Sequence, residues 1–442
     1  MDGWRGVKIV ALLDNVIHGR VYHGWAVVFV GFLAGFVKAS LTGFLFSVFL
    51  KPMSEEFGWS RSLTTGAVTV GTVIAALTGF SFGSLLDRYG ARVLFVGGAV
   101  VMGLALVGLS QVSGLWQFYV AYIIGRLMAF GPLGDAFIAS ATAQWFIRKR
   151  GRAIAIAMAG PALGGAALAM LAGWIITTSG WRNAWFVMGV LTWVLVLLPA
   201  WLLVRRRPED MGLLPDGDSG NAAPSVPSHG VRHATQAPPV SADDPEWTVA
   251  EATRTRAFWL LSIVAFFHIV TTSAIVFNMV SSLTDRGFST ALAIGALSLY
   301  ALLQGLSQII WGGMADRLPV HVAYAIALAT SMVGLGLIGL AASPVIVYAA
   351  VVVFGLGQGG VHTVGHTVWP AYFGRRNVGS IRGVSLLFET TGNAFGPFLG
   401  ALVYDLSGSY AWAFVGVVVT HLVIVGFVYR SRRPVRATPA VA

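Results

Sequence analysis

The 442-residue chain contains no cysteine. Disulfide frameworks and thiolate metal centres are thereby excluded. Charge is scarce as well: 11% of the residues are Asp, Glu, Lys or Arg, against 56% hydrophobic, a balance outside the range of ordinary soluble domains. Short segments of alternating polarity are missing, which excludes a transmembrane β-barrel. A cleavable leader is not expected either, because Asp14 interrupts the apolar run of the first twenty residues and no small-residue cleavage site follows. The first span is expected to be retained.

Long apolar runs are present in their place. About 20 consecutive apolar residues cross a bilayer as a helix. Twelve stretches qualify, near residues 25–50, 63–86, 92–111, 115–138, 152–178, 183–204, 258–281, 291–313, 321–341, 344–369, 381–404 and 411–429. The expected class is all-α, a polytopic membrane protein of twelve transmembrane helices surrounded by lipid. Of the 29 Lys and Arg, 23 fall on one face when both chain ends share it, Arg382 counted among them, while the opposite loops hold only Lys51, Arg61, Arg182 and Arg286. This is the positive-inside pattern. It places both termini in the cytoplasm and accounts for the net charge of +11 without a nucleic-acid partner.

Residues 205–256 interrupt the spans. The stretch 218–246 is rich in Pro, Ser, Ala and Gly and has nothing with which to build a core, so it reads as a disordered cytoplasmic linker. Thr248 and Glu251 have capping-box spacing and are expected to start a short helix at its end. The linker leaves six spans on either side, in units 1–204 and 257–442, and the two are similar. DRYG at Asp87 recurs at Asp316, WFIRKRG at 145–151 as YFGRRNVG at 372–379, GPALGG at 160–165 as GPFLG at 396–400, and GWRNAWF at 180–186 as GSYAWAF at 408–414. Duplicated halves around a midplane site are the architecture of secondary transporters.

Residues 83–93 read GSLLDRYGARV, and 312–318 read GGMADRL. Gly83 permits close backbone approach. Asp87 and Arg88 stand where the second span leaves the bilayer, and Asp87 can accept from the amides of a neighbouring helix N-terminus. Gly90 is expected to make a tight turn, and Arg92 starts the third span. Such a cluster can be made and broken as two bundles rock; the alternative is an ordinary basic loop.

At these residues the chain resembles the major facilitator superfamily, over nearly its whole length. The loop signature is matched by Gly83, Asp87, Arg88, Tyr89, Gly90 and Arg92 and echoed by Gly312, Asp316 and Arg317. The resemblance implies a latch on the cytoplasmic side, with Asp135 as a partner for Arg92. Arg126 matches the intramembrane Arg of the fourth span. Gly160, Pro161, Gly164 and Gly165 resemble the antiporter motif of the fifth span, a packing element repeated as Gly396, Pro397 and Gly400. HGWAVV, FLKPMSEEFGWSRS and GSIRG look like the bacterial branch around the monocarboxylate transporters and the oxalate:formate antiporter, which implies a bacterial inner membrane. That branch usually carries a carboxylate-binding Arg where this chain has Gln308.

A charge at the bilayer centre costs roughly 2.5–3.5 kcal/mol on insertion scales, which makes each one a site candidate. Lys38 is about 20 Å from either end of its helix at 1.5 Å per residue, beyond the reach of snorkelling. It needs a wet cavity or a partner. Arg126 suits a bidentate carboxylate or a structural role. His362 and His366 share a helix face and titrate near neutrality, or bond to backbone. Glu389 is a candidate proton carrier. His268, Asn278, Gln304 and Gln308 are weaker polar candidates. The resemblance implies that spans one, four, seven and ten line a central cavity, and Lys38, Arg126, Asn278 and His362 fall one in each. No nucleophile constellation or metal-ligand set stands out, so neither an enzyme nor a bound cofactor is expected. The reading is a transporter, acting as a single chain, of a small organic anion with a proton or counter-anion. A proton-coupled exporter of amphipathic compounds is the alternative.

Overall fold

A computed structural model describes residues 22–146, 149–205, 208–211, 213, 216, 247–315, 317–374, 377–431, 433 and 434. The N-terminal tail, the 218–246 linker and Asp316 lie outside these residues, as do the side chains of Gly83 and Asp87. Every span expected above is helical where described, but those of the N-terminal half are not simple rods.

The first span breaks at its centre. α1 (Gly24–Lys38) passes into a 3-10 turn over Ala39–Leu41, Thr42 is extended at φ −99° and ψ 174°, and α2 (Gly43–Phe57) resumes the crossing. The Thr42 hydroxyl donates to the Ala39 carbonyl at 2.8 Å, a local bond that competes with the helical ladder. α3 (Arg61–Ser110) contains the second and third spans, folded over at Gly90, whose φ of 79° and ψ of 167° only glycine adopts without strain. The fourth span is α4 (Leu115–Phe130) and α5 (Asp135–Ala143), separated around Pro132. α6 (Arg150–Met158) and α7 (Gly160–Ser179) form the fifth. The sixth runs through α8 (Trp181–Thr192), a π turn over Trp193–Leu197 and α9 (Leu198–Leu203).

Thr248 accepts from the Glu251 amide at 3.2 Å while Glu251 accepts from the Thr248 amide at 2.9 Å, the capping box that starts α10 (Val249–Ala252). The C-terminal spans are then single helices: α11 (Arg256–Asp285), α12 (Thr290–Ala315), α13 (Val320–Leu340), α14 (Pro344–Phe373), α15 (Val378–Ser407) and α16 (Ala411–Arg430). Among the described residues nine helical stretches are long and apolar enough to cross a membrane. The second, fourth and eleventh spans are not among them, the fourth because its apolar helix Leu115–Phe130 is short.

The two halves repeat one packing contact. A Cβ on Gly160 or Gly164 would overlap the carbonyl of Phe32 or Phe36 on α1, and a Cβ on Gly396 or Gly400 would overlap the carbonyl of Val270 or Ala274 on α11. The fifth span therefore rests on the first as the eleventh rests on the seventh. In a bilayer, where apolar burial drives little association, close backbone approach of this kind holds helices together. Pro161 fits against Gly35 in the same seam.

Candidate functional site

Between the halves lies a cavity of about 690 Å³. The N-terminal half contributes Gly43, Phe44, Thr72, Ala75, Ala76, Phe130 and Asp135. The other half contributes the remaining titratable groups, including His268, His362, His366, Arg382 and Glu389. These sit in the halves of α11, α14 and α15 nearer the end where the linker joins.

At the opposite, distal end the halves are pinned together. Arg61 at the start of α3 bonds to Asp285 at the end of α11, Lys51 reaches Asp285 at 3.0 Å, and Arg61 also donates to the Tyr410 hydroxyl at 3.1 Å. Asp405 accepts the Ser62 amide at 2.8 Å and the Arg61 amide at 3.3 Å, so a carboxylate of one half caps a helix N-terminus of the other. Farther in, Thr69 donates to the Ala394 carbonyl at 2.6 Å and the Val280 amide donates to Ser47 Oγ at 2.9 Å. Sequence reasoning assigned Lys51 and Arg61 to loop topology and missed this closure. Its signal was a run of opposite charges at span ends on both halves.

Lys38, the last residue of α1, has its Nζ 2.6 Å from an Asp135 carboxylate oxygen and 5.1 Å from the centre of the Phe130 ring. The lysine side chain is 5% exposed and that of Asp135 57%. Asp135 faces the cavity and Lys38 lies behind it. The expected partner of Arg92 is thus engaged elsewhere, and Arg92 donates instead to the Trp201 carbonyl at 2.7 Å.

Arg126 does not reach the cavity wall. Breaking the first span leaves the Leu41 carbonyl without its helical donor, and Arg126 Nη1 fills that role at 2.6 Å while its Nε bonds to Thr72 Oγ1 at 2.8 Å. The guanidinium thus satisfies orphaned backbone in the membrane interior with one donor and binds Thr72 with another. Asn278 is also occupied: it donates to the Ala274 and Pro397 carbonyls at 2.8 and 3.2 Å and accepts from Tyr410 at 3.1 Å. Gln308 is exposed and outside the cavity lining, whereas Gln304 and His268 are part of it.

His362 and His366 present exposed side chains to the cavity. Beside them Arg382 donates to the Gly365 carbonyl at 3.3 Å and stands 3.5 Å from a Glu389 oxygen, each side chain 17% exposed. Arg382 had been counted with the linker-face loops, although it fell inside the eleventh span; the sequence alone did not separate a charge at the mouth of a cavity from one outside the membrane. In the loop motif Arg88 is exposed and lies over the Tyr89 ring at 5.3 Å, and Arg317 is exposed. Gly312 has open space where a Cβ would stand. Among the described residues no group of His, Asp and Glu is arranged to hold a metal.

The family model of the Major Facilitator Superfamily matches residues 25–299 and 261–441. The chain is 25% identical to Monocarboxylate transporter 13 of Bos taurus over 89% of its length and 85% of that protein. It is also 25% identical to the Oxalate:formate antiporter of Oxalobacter formigenes, over 65% of its length and 62% of that protein. In fold it is similar to the crystal structures of a bacterial homolog to the human lysosomal transporter Spinster. These give TM-scores of 0.65 and 0.68 at 18% and 16% identity, over 93% and 94% of this chain and 96% and 98% of those chains. Twelve helices in two similar bundles, a polar cavity between them and the match along both halves make this multi-pass membrane protein a member of the Major Facilitator Superfamily, a transporter and not an enzyme.

Proposed function

We propose that the chain carries a small, monocarboxylate-like organic anion across the cytoplasmic membrane of a bacterium by alternating access, with proton symport or anion exchange. Arg382 carries the reading. Its guanidinium has five donors in a fork that matches a carboxylate, yet its two described partners stand at 3.3 and 3.5 Å, longer than the 2.7–2.9 Å typical of a tight charge-assisted bond. It is a loosely held cation at the wall of a cavity open to water. The names of two relatives, a monocarboxylate transporter and an oxalate:formate antiporter, point the same way.

In this reading Arg382 replaces Gln308, Lys38 and Arg126 as the first contact of the anion, and His362, His366 and Glu389 exchange protons with cavity water. The units 1–204 and 257–442 rock about the cavity, joined by a cytoplasmic linker at 205–256, so the cavity faces the cytoplasm here. The loops with Gly83, Asp87, Arg88, Gly90 and Arg92, and with Gly312, Asp316 and Arg317, would latch that side when the distal closure opens.

Export of amphipathic compounds is the second reading, favoured by the rings of Phe44, Phe130, Phe277, Tyr300 and Trp369 around the cavity. Flux into proteoliposomes under an imposed pH gradient separates the two, with monocarboxylates, dicarboxylates and amphipathic cations as the panel. Monocarboxylate uptake that Arg382→Gln abolishes is expected; cation movement with no anion uptake would establish the exporter instead.

A further inference from the structure

His268 belongs to the cavity wall but is only 3% exposed. Its Nδ1 is 3.3 Å from Nε2 of His421, the two rings meeting at 77°. His421 is on α16, fully buried and outside the cavity lining. Its own Nδ1 is 2.9 Å from the Val417 carbonyl, one turn back on the same helix.

These contacts determine where the hydrogens are. A carbonyl oxygen only accepts, so Nδ1 of His421 carries a hydrogen. In a neutral ring Nε2 of His421 is then bare. The bond between the imidazoles therefore needs its hydrogen on Nδ1 of His268, which leaves Nε2 of His268 bare, with a lone pair that the Gln358 side chain faces while the Gln358 oxygen accepts from Ser331 at 3.3 Å. One backbone carbonyl thus sets the tautomer of a cavity residue through a second histidine. This tautomer is the opposite of the Nε2–H form that free histidine favours in water.

We propose that His268 is a further proton-holding group of the transporter beside His362, His366 and Glu389, accepting at Nε2, and that His421 is the positioning residue that makes it so. In the step, an O–H bond of hydronium in the cavity or of an incoming carboxylic acid breaks, its proton bonds to the Nε2 lone pair, and water or the carboxylate anion is left behind. No ring bond breaks, Nδ1–H stays donated to His421, and the wall gains one positive charge. The charged and titratable groups that share the cavity wall with His268 are His362 and His366 on α14, Arg382 and Glu389 on α15, Tyr300 on α12, Tyr324 on α13 and, across the cavity, Asp135 on α5, with His421 on α16 behind it. A proton at His268 adds to Arg382 in drawing an anion, which couples the two loads. That coupling rests on the anion reading above; the tautomer does not.

The test is the histidine side-chain 15N spectrum of the whole transporter in lipid, with His268 assigned by the signals lost in His268→Gln. Wild type should show Nδ1–H with bare Nε2 at alkaline pH and protonation at Nε2 on acidification. His421→Leu should return His268 to Nε2–H and lose the rise of proton-driven lactate uptake at acid pH, while His421→Gln, which keeps an acceptor in place, should retain both. A wild-type Nε2–H tautomer overturns the proposal, whether or not His421→Leu inserts. So does a His421→Leu protein whose tautomer and pH profile are those of wild type. If the tautomers are as stated but neither lactate nor formate moves, the anion reading fails and the assignment of the proton site stands.

Discussion

Arg61 and Asp285 form a two-point ion pair across the halves, with Nη1 2.5 Å from Oδ2 and Nη2 3.1 Å from Oδ1. Their side chains are 10% and 20% exposed, so solvent screens the pair weakly. Arg61 also stacks over Tyr404 at 3.8 Å, which holds the guanidinium plane in place.

Asp285→Asn should therefore loosen the distal closure. The chain has no cysteine, so a single Phe44→Cys reports access to the cavity without background. Labelling of that cysteine by an impermeant maleimide from the distal side should rise in Asp285→Asn, and a double-mutant cycle with Arg61→Gln should give a coupling on the order of 2 kcal/mol. Unchanged labelling would mean that the pair plays no part in the closure.

The Lys38–Asp135 pair should respond unequally to losing either member. Asp135, 57% exposed, stays hydrated once Lys38 is removed, whereas Lys38, 5% exposed, is left as a buried lone cation once Asp135 is removed. Lys38→Gln should cost about 1 kcal/mol and Asp135→Asn about 3 kcal/mol or more. Thermal unfolding in detergent measures both, and a larger loss in Lys38→Gln contradicts this arrangement.

Arg126→Lys keeps the charge but gives up the planar fork that spans Thr72 Oγ1 and the Leu41 carbonyl. A loss of about 2 kcal/mol is expected, with the ranking of transported anions unchanged. A changed ranking would move Arg126 into the binding site.

Much of this architecture was legible because it depends on local rules. Twelve apolar runs, the turn at Gly90 and the repeat of GPALGG as GPFLG each follow from what one helix or one turn requires. The site was less legible because its members are brought together by packing. Nothing near Lys38 in the sequence says that its partner is Asp135, and the Ser40, Thr42 and Gly43 around the break at Ala39–Leu41 do not by themselves say that Arg126 is committed there. His268 read as one weak polar residue, and His421, on the twelfth span, was not singled out.

The glycine seams should tolerate size poorly. Gly164→Val and Gly400→Val each force a side chain into a backbone carbonyl, at Phe36 and Ala274. Each should cost roughly 1–3 kcal/mol, whereas Gly312→Ala, with open space around it, should be near neutral. Melting temperatures in one detergent compare the three; equal losses would place the seams elsewhere.

The cavity takes its titratable side chains from unbroken helices, apart from Asp135, while the N-terminal bundle is interrupted in its first, fourth, fifth and sixth spans. Rigid rods keep chemical groups in register, and jointed ones let a wall bend. On the proposed reading, duplication has in this way left one copy to read the cargo and the other to supply the moving jaw. Selectivity and turnover can then drift separately, the former through changes on α11, α14 and α15 and the latter through changes at the joints.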